Sequence, residues 1–401
     1  MLNGDTSAGV TVHRTGASAQ DELAAMVADS GLRRVLMLAW RDLDDPEAGG
    51  SELHADKVAE RWAAAGLDVT MRTAAADGHP VRATRNGYSV IRKAGRYAVF
   101  PRSAVSSAIG RSGRHDGLVE IWNGMPFMSP VWARCPRIVF LHHVHAEMWR
   151  MVLPPHLARI GETIEYKLAP PFYRRTPIVT LSESSRDEIV EMLGMRRNNI
   201  TVSPPGISPR YSPAGDRSPH PLVVAVGRLV PVKRLDLLVS ALLRLKQDVP
   251  ELEAVLVGEG YERPALEAQI AAAGATDWLK LPGRLDDDEL IALYRRAWVL
   301  TSASAREGWG MTITEAAACG TPSVVTKIAG HSDAVADGSS GILVSEPAAL
   351  TGALRDVLTS SSLRERLSAG ALQQAARFTW DNTARATFEV LAAQARRRPG
   401  S

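Results

Sequence analysis

The chain has 401 residues, of which 45% are hydrophobic and 23% are charged, with a formal net charge of +3 and two cysteines. This length exceeds what one hydrophobic core usually serves, so we expect two soluble globular domains, and the small net charge gives no reason to expect a nucleic-acid partner. Cys135 and Cys319 fit neither a disulfide framework nor a metal knuckle, and the lack of a long apolar run argues against a spanning helix and a signal peptide, so a reducing cytoplasm is the expected compartment.

The predicted elements begin after a polar N-terminal segment. Residues 1–30 are rich in Gly, Ser, Thr and Ala, and we expect them to be poorly ordered. From there, short apolar runs alternate with helical patterns, which predicts an α/β fold with doubly wound parallel sheets. The predicted strands of the first half are 35–40, 69–72, 118–121, 138–142, 178–181 and 200–203, and a helical pattern covers 52–65.

A proline-rich break divides the chain. Residues 203–221 contain six prolines, which disfavour both a helix and a central strand. The alternation then resumes, with predicted strands at 222–226, 254–257, 278–281, 299–301, 323–325 and 342–344. The pattern predicts two Rossmann-like domains, 31–203 and 222–375, which a linker at 204–221 joins across a central cleft. We expect the last segment, 376–401, to form a helix that crosses back to the first domain.

The first predicted domain contains a basic tract at residues 82–114. No acidic residue occurs from Gly78 to His115. The cations in this interval are Arg82, Arg85, Arg92, Lys93, Arg96, Arg102, Arg111 and Arg114. Such a run is commonly a solvated face. It is also typical of a surface that meets an anionic lipid leaflet or an anionic acceptor, so peripheral contact with a membrane is the second interpretation.

The first candidate site follows the predicted strand at 222–226. Gly227 ends this strand, and Arg228 and Lys233 lie in the short loop before the next helix. Two cations beside a helix start suit a phosphate group, because the helix N-terminus adds backbone N–H donors and a partial positive charge. The loop lacks the Walker pattern, and two solvated cations near a helix start are the alternative interpretation.

A second glycine-rich segment contains Gly258 and Gly260. The third glycine of the dinucleotide fingerprint G-x-G-x-x-G would fall at position 263, which is Arg263. The sequence therefore does not predict a nicotinamide cofactor at this segment.

The segment SASAREGWGMTITEAAACG follows the predicted strand at 299–301. Gly308 and Gly310 allow a ligand to approach the backbone closely. The N–H groups of Met311 and Thr312 would then open the next helix toward an anion. This part of the segment predicts a cradle for phosphate.

Two glutamates flank this predicted cradle. Glu307 on the loop and Glu315 one turn into the helix can each accept hydrogen bonds from neighbouring hydroxyl groups. A nucleotide sugar, which carries a sugar at each end of a diphosphate, would satisfy both carboxylates and the cradle. The alternative is a helix start whose acidic residues balance the helix dipole, and it explains Glu315 alone.

Together these motifs resemble the retaining family 4 glycosyltransferases, which have the GT-B fold. The seven-residue gap between Glu307 and Glu315 resembles the paired-glutamate motif of that family, and VGRLVPVKR resembles its donor-phosphate loop. Further similar segments are WRDLDDPEAGGSELHADKVAERWAAAGLDVT, VTLSESSRDEI, SPPGIS, ACGTPSVVT and ADGSSGILV. The resemblance covers roughly positions 33 to 385. It implies an N-terminal acceptor-binding domain, a C-terminal donor-binding domain and catalysis without a metal ion.

The resemblance also implies roles for the charged residues. Arg228 and Lys233 would neutralise the diphosphate as it leaves. Glu307 would hold hydroxyls of the transferred sugar, and Glu315 would hold the nucleotide ribose.

Backbone groups would complete the donor site that the resemblance implies. Gly308 and residues 310–312 would supply N–H donors, and Gly49 and Gly50 would close over the phosphates from the other domain. The remaining predicted donor contacts lie at the phosphate loop and around the base: Gly227, Gly258, Gly283 and Leu285.

Three histidines follow the predicted strand at 138–142, in the segment FLHHVHAEMW. The family places a histidine near the transferred sugar at this strand end. We expect His142 or His143 to take that position, because burying three imidazoles in one core strand would leave ring nitrogens without partners. A metal site that includes His145 is the competing interpretation, but no further ligand cluster lies beside the trio in the sequence.

The sequence therefore predicts a hexosyltransferase that moves a sugar from a UDP- or GDP-sugar to a hydroxyl with retained anomeric configuration. The acceptor is open between a lipid-linked molecule, a glycan and a glycoside. No side chain is clearly placed as a covalent nucleophile, so we expect the leaving phosphate to take the acceptor's proton, as the resemblance implies. The alternatives are a nucleotide-sugar epimerase, a phosphorylase and a non-catalytic nucleotide-sugar-binding protein, and donor hydrolysis without acceptor separates the last from the enzymes.

Overall fold

The computed structural model describes residues 19–46, 48–109 and 113–397, which form two α/β domains. The N-terminal strands are β1 (Arg34–Leu38), β2 (Asp68–Thr73), β3 (Arg82–Arg85), β4 (Tyr88–Arg92), β5 (Gly117–Ile121), β6 (Arg137–Phe140), β7 (Ile178–Thr180) and β8 (Ile200–Val202). The N-terminal helices are α1 (Ala19–Ser30), α2 (Gly50–Ala64), α3 (Val99–Ala108), α4 (Ser129–Trp132), α5 (Met148–Val152), α6 (Pro155–Thr163), α7 (Pro170–Tyr173) and α8 (Glu183–Leu193).

The N-terminal strands form one twisted sheet in the order β3-β4-β2-β1-β5-β6-β7-β8. Neighbouring strands run parallel except for the pair β3 and β4. Central strands such as β5 are buried along their whole length, because helices cover both faces of the sheet. The carboxyl ends of the parallel strands therefore meet at one edge, which faces the cleft.

The C-terminal domain repeats this plan. Its strands are β9 (Leu222–Val226), β10 (Glu253–Val257), β11 (Leu279–Gly283), β12 (Val299–Ser302), β13 (Ser323–Thr326) and β14 (Gly341–Val344). Its helices are α9 (Leu235–Asp248), α10 (Arg263–Ala272), α11 (Asp287–Arg296), α12 (Met311–Ala318), α13 (His331–Ala334), α14 (Leu350–Thr359) and α15 (Ser361–Ala375), followed by α16 (Trp380–Arg396). The strands are parallel in the order β11-β10-β9-β12-β13-β14.

The chain passes between the domains twice, and the two crossings lie side by side. Ile207 and Thr379 form a parallel bridge, and Ile207 N donates a hydrogen bond to Phe378 O at 3.2 Å. Thr383 Oγ1 donates to Pro204 O at 2.7 Å. Beyond this point α16 packs into the core of the N-terminal domain. Two short adjacent crossings form a natural hinge for closure of the cleft.

Part of the N-terminal segment that was expected to be disordered is a helix. Leu23 and Val27 of α1 are buried in the same core cluster as Phe388 and Leu391 of α16. The expectation for residues 19–30 is therefore wrong, because the apolar partners of this short helix come from the other end of the chain. Residues 1–18 lie outside the described part of the chain.

The basic tract at 82–114 contains a β-hairpin that the sequence did not predict. β3 and β4 are antiparallel, and their turn has positive φ at Asn86 (45°) and Gly87 (87°). An Asn-Gly pair is the preferred turn of a two-residue hairpin because both positions need positive φ. The signal was therefore present in the sequence, but the flanking runs carry too few apolar residues to draw attention.

Aspartates from the loop after β1 neutralise several cations of this tract. The ion pairs are Arg92–Asp42 at 2.8 Å, Arg85–Asp44 at 2.7 Å and Arg96–Asp45 at 3.7 Å. Arg92 is buried, and Arg111 lies outside the described residues. The tract is thus not the continuous free basic surface that the membrane interpretation requires. Among the described residues, no helix combines the length and the apolar character needed to cross a membrane.

Candidate active site

The loop after β9 brings a predicted leaving-group cation to the predicted sugar-binding glutamate. Arg228 is exposed, whereas Lys233 ends a 3-10 turn and is partly buried. The Lys233 side chain lies over Gly227, since a Cβ on that glycine would be 3.4 Å from Lys233 Cε. Lys233 Nζ forms an ion pair with Glu307. This ion pair therefore brings together two residues that are 74 positions apart in the chain.

The ends of β9 and β10 approach so closely that only glycine fits between them. Gly258 has a φ of +140°, and a Cβ there would collide with the carbonyl oxygen of Gly227. Gly258 N donates to Gly283 O at 2.8 Å, and Leu285 lies partly buried just beyond. These predicted base contacts thus lie at the carboxyl ends of three neighbouring strands, where open α/β sheets bind ligands.

Glu307 lies on the loop between β12 and α12 and is held by polar neighbours. Ser304 Oγ donates to Glu307 Oε1 at 3.0 Å, and Lys233 pairs with the same carboxylate. Burial would raise the pKa of Glu307, but Lys233 and the nearby His331 hold that pKa below its ordinary value. Glu307 is therefore ionised at neutral pH and able to accept hydrogen bonds from hydroxyl groups.

Two helices direct their N-termini into the cleft, one from each domain. Gly310 precedes α12 and has a φ of +100°, which glycine adopts without strain. A Cβ on Gly50, the first residue of α2, would lie only 2.9 Å from Met311 Sδ, so the two helix starts face each other at close range. Gly49 N donates to Glu52 Oε2 at 2.8 Å, which occupies one of the predicted phosphate donors. The remaining N-terminal dipoles focus positive potential on the gap between the helices.

Glu315 differs from Glu307 in its surroundings. It is buried in α12, and Tyr294 Oη donates to Glu315 Oε2 at 3.3 Å. Burial raises the pKa of Glu315 to about 8, although hydrogen bonds from Tyr294 and Tyr211 act in the opposite direction. The carboxyl is therefore mostly protonated at neutral pH. Thr312 lies three residues earlier on the same side of the helix and is partly buried.

The structure separates the two candidate histidines. His142 is buried, and its Nε2 lies 3.2 Å from His54 Nδ1. His143 is partly buried at the cleft, and its Nδ1 would lie 3.5 Å from a Cβ on Gly308. Of the two, His143 therefore lies at the cleft beside Gly308, while His142 belongs to the domain core.

Both imidazoles are neutral at physiological pH. Burial lowers the pKa of His142 to about 3 and that of His143 to about 4. Arg306 and Arg228 lie near His143 and act in the same direction as burial. His143 is thus suited to hydrogen bonding as a neutral ring rather than to acting as a cation. Among the described residues, no group of three or more His, Cys, Asp or Glu side chains is placed to hold a metal ion.

A serine-rich helix start joins the domains and was missed as a site by sequence reasoning. Asp333 accepts hydrogen bonds from Glu183 N at 3.0 Å and from Ser184 N at 3.3 Å, so the N-terminus of α8 grips a carboxylate of the other domain. Ser182 Oγ donates to Gly308 O at 3.2 Å. We call these interdomain contacts the α8 latch. They hold the backbone next to Glu307 against the N-terminal domain. The segment VTLSESSRDEI resembles the family, but only the tertiary structure shows what this helix start binds.

An ion pair reinforces the α8 latch beside the cleft. Arg306 lies one residue before Glu307 and pairs with Glu188 of α8 at 2.6 Å. Glu147 of the N-terminal domain lies 3.5 Å from the same guanidinium. The loop that carries Glu307 is therefore tied to the N-terminal domain on both sides of that residue, through Arg306 and Gly308.

Two family models match the chain on either side of the hinge. The model described as Glycosyltransferase Family 4 matches residues 48–211, and the model described as Glycosyl transferases group 1 matches residues 213–374. Two parallel-sheet domains that face a cleft are the GT-B fold. The two models together cover most of the chain, which belongs to the family 4-like glycosyltransferases.

Curated relatives carry the name D-inositol 3-phosphate glycosyltransferase. The enzyme from Nocardioides sp. is 29% identical over 91% of this chain and 90% of its own length. The enzyme from Stackebrandtia nassauensis is 34% identical over 52% of each chain, so in this match the chain spans about half the length of its relative.

Solved structures share the fold at low sequence identity. Sucrose-phosphate synthase from Thermosynechococcus elongatus superposes with a TM-score of 0.77 and 18% identity, covering 89% of this chain and 98% of that chain. Anabaena HepE, crystallised with UDP-glucose, superposes with a TM-score of 0.70 and 18% identity, covering 90% of this chain and 99% of that chain.

Proposed function

We propose that the protein transfers a hexosyl group from a UDP- or GDP-sugar to a hydroxyl acceptor and retains the anomeric configuration. The observation that carries this proposal is the junction of Lys233, Glu307 and two helix N-termini at the cleft. A diphosphate would lie against the cation and the helix starts, and the sugar would lie between Glu307 and His143. Because cations of the chain supply the positive charge there, we expect turnover to persist in a chelator.

The proposed reaction balances without a covalent enzyme intermediate. The bond from the anomeric carbon to the β-phosphate oxygen breaks, and the bond to the acceptor oxygen forms on the same face of the sugar. The acceptor's proton goes to the departing phosphate oxygen. Lys233 and Arg228 stabilise the negative charge that grows on the diphosphate, and fixed charges of this kind are commonly the largest single contribution to such catalysis.

Glu307 and His143 have complementary parts in this proposal. The carboxylate of Glu307 accepts hydrogen bonds from sugar hydroxyls, and the neutral ring of His143 orients a further one. In the structure Lys233 pairs with Glu307. When a donor is bound, Lys233 would interact with both the glutamate and the diphosphate. Closure by the α8 latch would exclude water, which otherwise hydrolyses the donor.

The acceptor is proposed as a polyhydroxylated molecule. The name of the relatives makes an inositol phosphate the first acceptor to assay, and a lipid-linked sugar, a glycan and a glycoside are the others. We expect the loops of the N-terminal domain that face the cleft to form the acceptor side.

A donor panel tests the proposal. Thermal unfolding is measured with UDP, GDP, ADP and TDP and with their sugars, because a ligand that binds only the native state raises the melting temperature. The sugar that gives the largest shift is then incubated with candidate acceptors, and the anomeric configuration of the product is read by NMR. A product of inverted configuration, or no shift with any nucleotide, would contradict the proposal.

A further inference from the structure

The N-terminal domain carries an apolar stripe that faces solvent. It runs along one continuous helical stretch, formed by α6, a π-helical turn at Ile164–Leu168 and α7. The exposed fractions are 43% for Leu157, 55% for Ile160, 56% for Leu168 and 53% for Phe172. Spacings of three, eight and four residues return these side chains to the same side of a helix. We call this set the α6–α7 stripe.

The α6–α7 stripe is separate from the side of the same stretch that packs into the domain. Ala158, Gly161 and Tyr173 are buried there. Glu165, also buried, accepts hydrogen bonds from His145 N at 2.9 Å and from Trp149 Nε1 at 2.8 Å. The side of this helical stretch that faces the domain is therefore already packed, and the exposed side chains are not needed for that packing. A further group of large exposed apolar side chains on a globular domain is typical of an interaction site.

The charges around the α6–α7 stripe are mostly positive. Exposed cations flank it at Arg159, Lys167, Arg174 and Arg175. The two acidic residues of the same stretch are engaged elsewhere, since Glu162 pairs with Arg150 at 2.7 Å and Glu165 is buried in the hydrogen bonds described above. Here exposed cations lie beside exposed apolar side chains along the chain, whereas the basic tract at 82–114 is partly neutralised by aspartates.

We propose that the α6–α7 stripe docks the protein on an anionic lipid bilayer. A helix that lies in the membrane interface buries its apolar face at the headgroup boundary, and its cations meet anionic lipids at the same depth. A second copy of the chain is the competing occupant. A symmetric pairing of two stripes would bring two sets of the same cations together, which is unfavourable. Charge complementarity therefore favours the bilayer.

The stripe lies next to the cleft. Glu165 ties its inner side to the loop that carries His143 and His145, and α5 packs beside the turn at Pro231–Lys233. Docking would hold the acceptor side of the cleft near the lipid surface, so an acceptor embedded in the bilayer could reach the site. This consequence rests on the proposed function, whereas docking itself does not.

Vesicle flotation of the full chain tests the proposal. Vesicles of phosphatidylcholine alone are compared with vesicles that contain roughly one third phosphatidylglycerol, at low and at physiological salt. We expect the protein to float with the anionic vesicles and to stay behind with neutral ones. The combined variant Ile160→Ser, Leu168→Ser, Phe172→Ser should lose at least about tenfold of the bound fraction.

Matched controls keep the result interpretable. Val81→Ser and Leu237→Ser remove apolar side chains that are 53% and 40% exposed elsewhere on the surface, and they should float like the wild type. All variants should stay folded, which melting curves check, because the changed side chains are 40% to 56% exposed. Donor hydrolysis in solution should also be unchanged in the stripe variant, so a failed docking test is distinguishable from a failed assignment of function.

Three results would overturn the proposal. The wild type could stay in the aqueous fraction with anionic vesicles. The stripe variant could float as well as the controls. Light scattering could show a dimer that the stripe variant converts to a monomer without any vesicle binding, which would assign the stripe to a second copy of the chain.

Discussion

The two walls of the cleft are built in different ways. The C-terminal wall is made of backbone held in tight contact, as at Gly258 against Gly227, and of one central ion pair between Lys233 and Glu307. The N-terminal wall is made of side chains whose polar atoms are incompletely paired. In the described part of the chain, His143 and His145, which follow β6, each have one buried ring nitrogen without a hydrogen-bond partner in the protein.

This difference separates a fixed half from an adaptable half. A backbone template holds its donors in place without side-chain freedom, which suits a diphosphate and a nucleotide that every donor shares. A wall of neutral imidazoles can present either a donor or an acceptor nitrogen, which suits hydroxyl groups of varying arrangement. The comparison therefore predicts that substitutions in the C-terminal wall cause large losses of stability or turnover. Substitutions at the cleft-facing positions of the N-terminal wall should change kcat/KM by smaller factors.

The largest effect is expected for Gly258→Ala. The new methyl group would collide with the carbonyl oxygen of Gly227, and the residue would keep a φ of +140° that alanine rarely adopts. We expect the free energy of unfolding to fall by at least about 3 kcal/mol, measured by urea denaturation. Gly352→Ala is the control, because that helical glycine has open space around it and should be neutral or slightly stabilised. Equal stability of the two variants would contradict the rigid-template view.

The next effect concerns the leaving group. Lys233→Ala removes the cation that pairs with Glu307, and we expect turnover to fall by roughly 10²-fold or more, with a similar loss for Arg228→Ala. Lys280→Ala, which changes a lysine on β11 that hydrogen-bonds the carbonyl oxygen of Thr276, should keep wild-type turnover. Wild-type turnover in both cleft variants would remove these cations from the mechanism.

The two histidines should respond in opposite ways. His143→Ala should lower kcat/KM by about tenfold through the loss of one hydrogen bond to the sugar, with little change in stability. His142→Ala should instead cost about 2 kcal/mol of unfolding free energy, because it leaves a cavity beside His54. Parallel kinetics and urea denaturation separate the outcomes. A larger kinetic loss for His142→Ala than for His143→Ala would reverse the assignment.

The α8 latch gives a smaller, conformational effect. Asp333→Asn weakens the carboxylate contact with the N-terminus of α8, and we expect kcat/KM to fall by roughly fivefold. The ratio of donor hydrolysis to transfer should rise, because an incompletely closed cleft admits water. Ser332→Ala changes the neighbouring exposed hydroxyl and should leave this ratio unaltered. An unaltered ratio in Asp333→Asn would mean that the latch plays no part in closure.

The smallest effect is the pH dependence of nucleotide binding. The pKa of Glu315 is raised to about 8, so its carboxylate forms only as the pH rises toward and above that value. Ribose hydroxyls donate better to the ionised form, so affinity for the nucleoside diphosphate should rise by about fivefold or less from pH 6 to pH 9. Glu315→Gln should flatten this dependence. An affinity that falls over the same range would show that the ribose needs the protonated group.

Local sequence patterns predicted the parts of the fold that depend on neighbouring residues. Buried parallel strands such as β5 and β9 stand out as short apolar runs, and the proline-rich break marks the hinge. The paired glutamates and the VGRLVPVKR loop likewise show their chemistry within a few residues. Members of such motifs lie close in sequence because one strand end and one helix start carry them.

Features that depend on distant partners were not predictable in this way. α1 is held by α16 from the other end of the chain, and Arg92 is neutralised by Asp42 from a loop fifty residues earlier. To predict the α8 latch, one would have to know which carboxylate meets the N-terminus of α8. His142 and His143 are neighbours in the chain, and only the folded structure shows that the first is buried and the second lies at the cleft. None of these contacts leaves a periodic signal in the sequence.

The most direct test of the central claim is a crystal structure of the protein with a bound nucleoside diphosphate. We predict that the β-phosphate lies within hydrogen-bonding distance of Lys233 Nζ and of the backbone N–H groups at the start of α12, with the ribose on the side of Glu315. A nucleotide bound outside the cleft, or with its diphosphate remote from Lys233 and α12, would contradict the account.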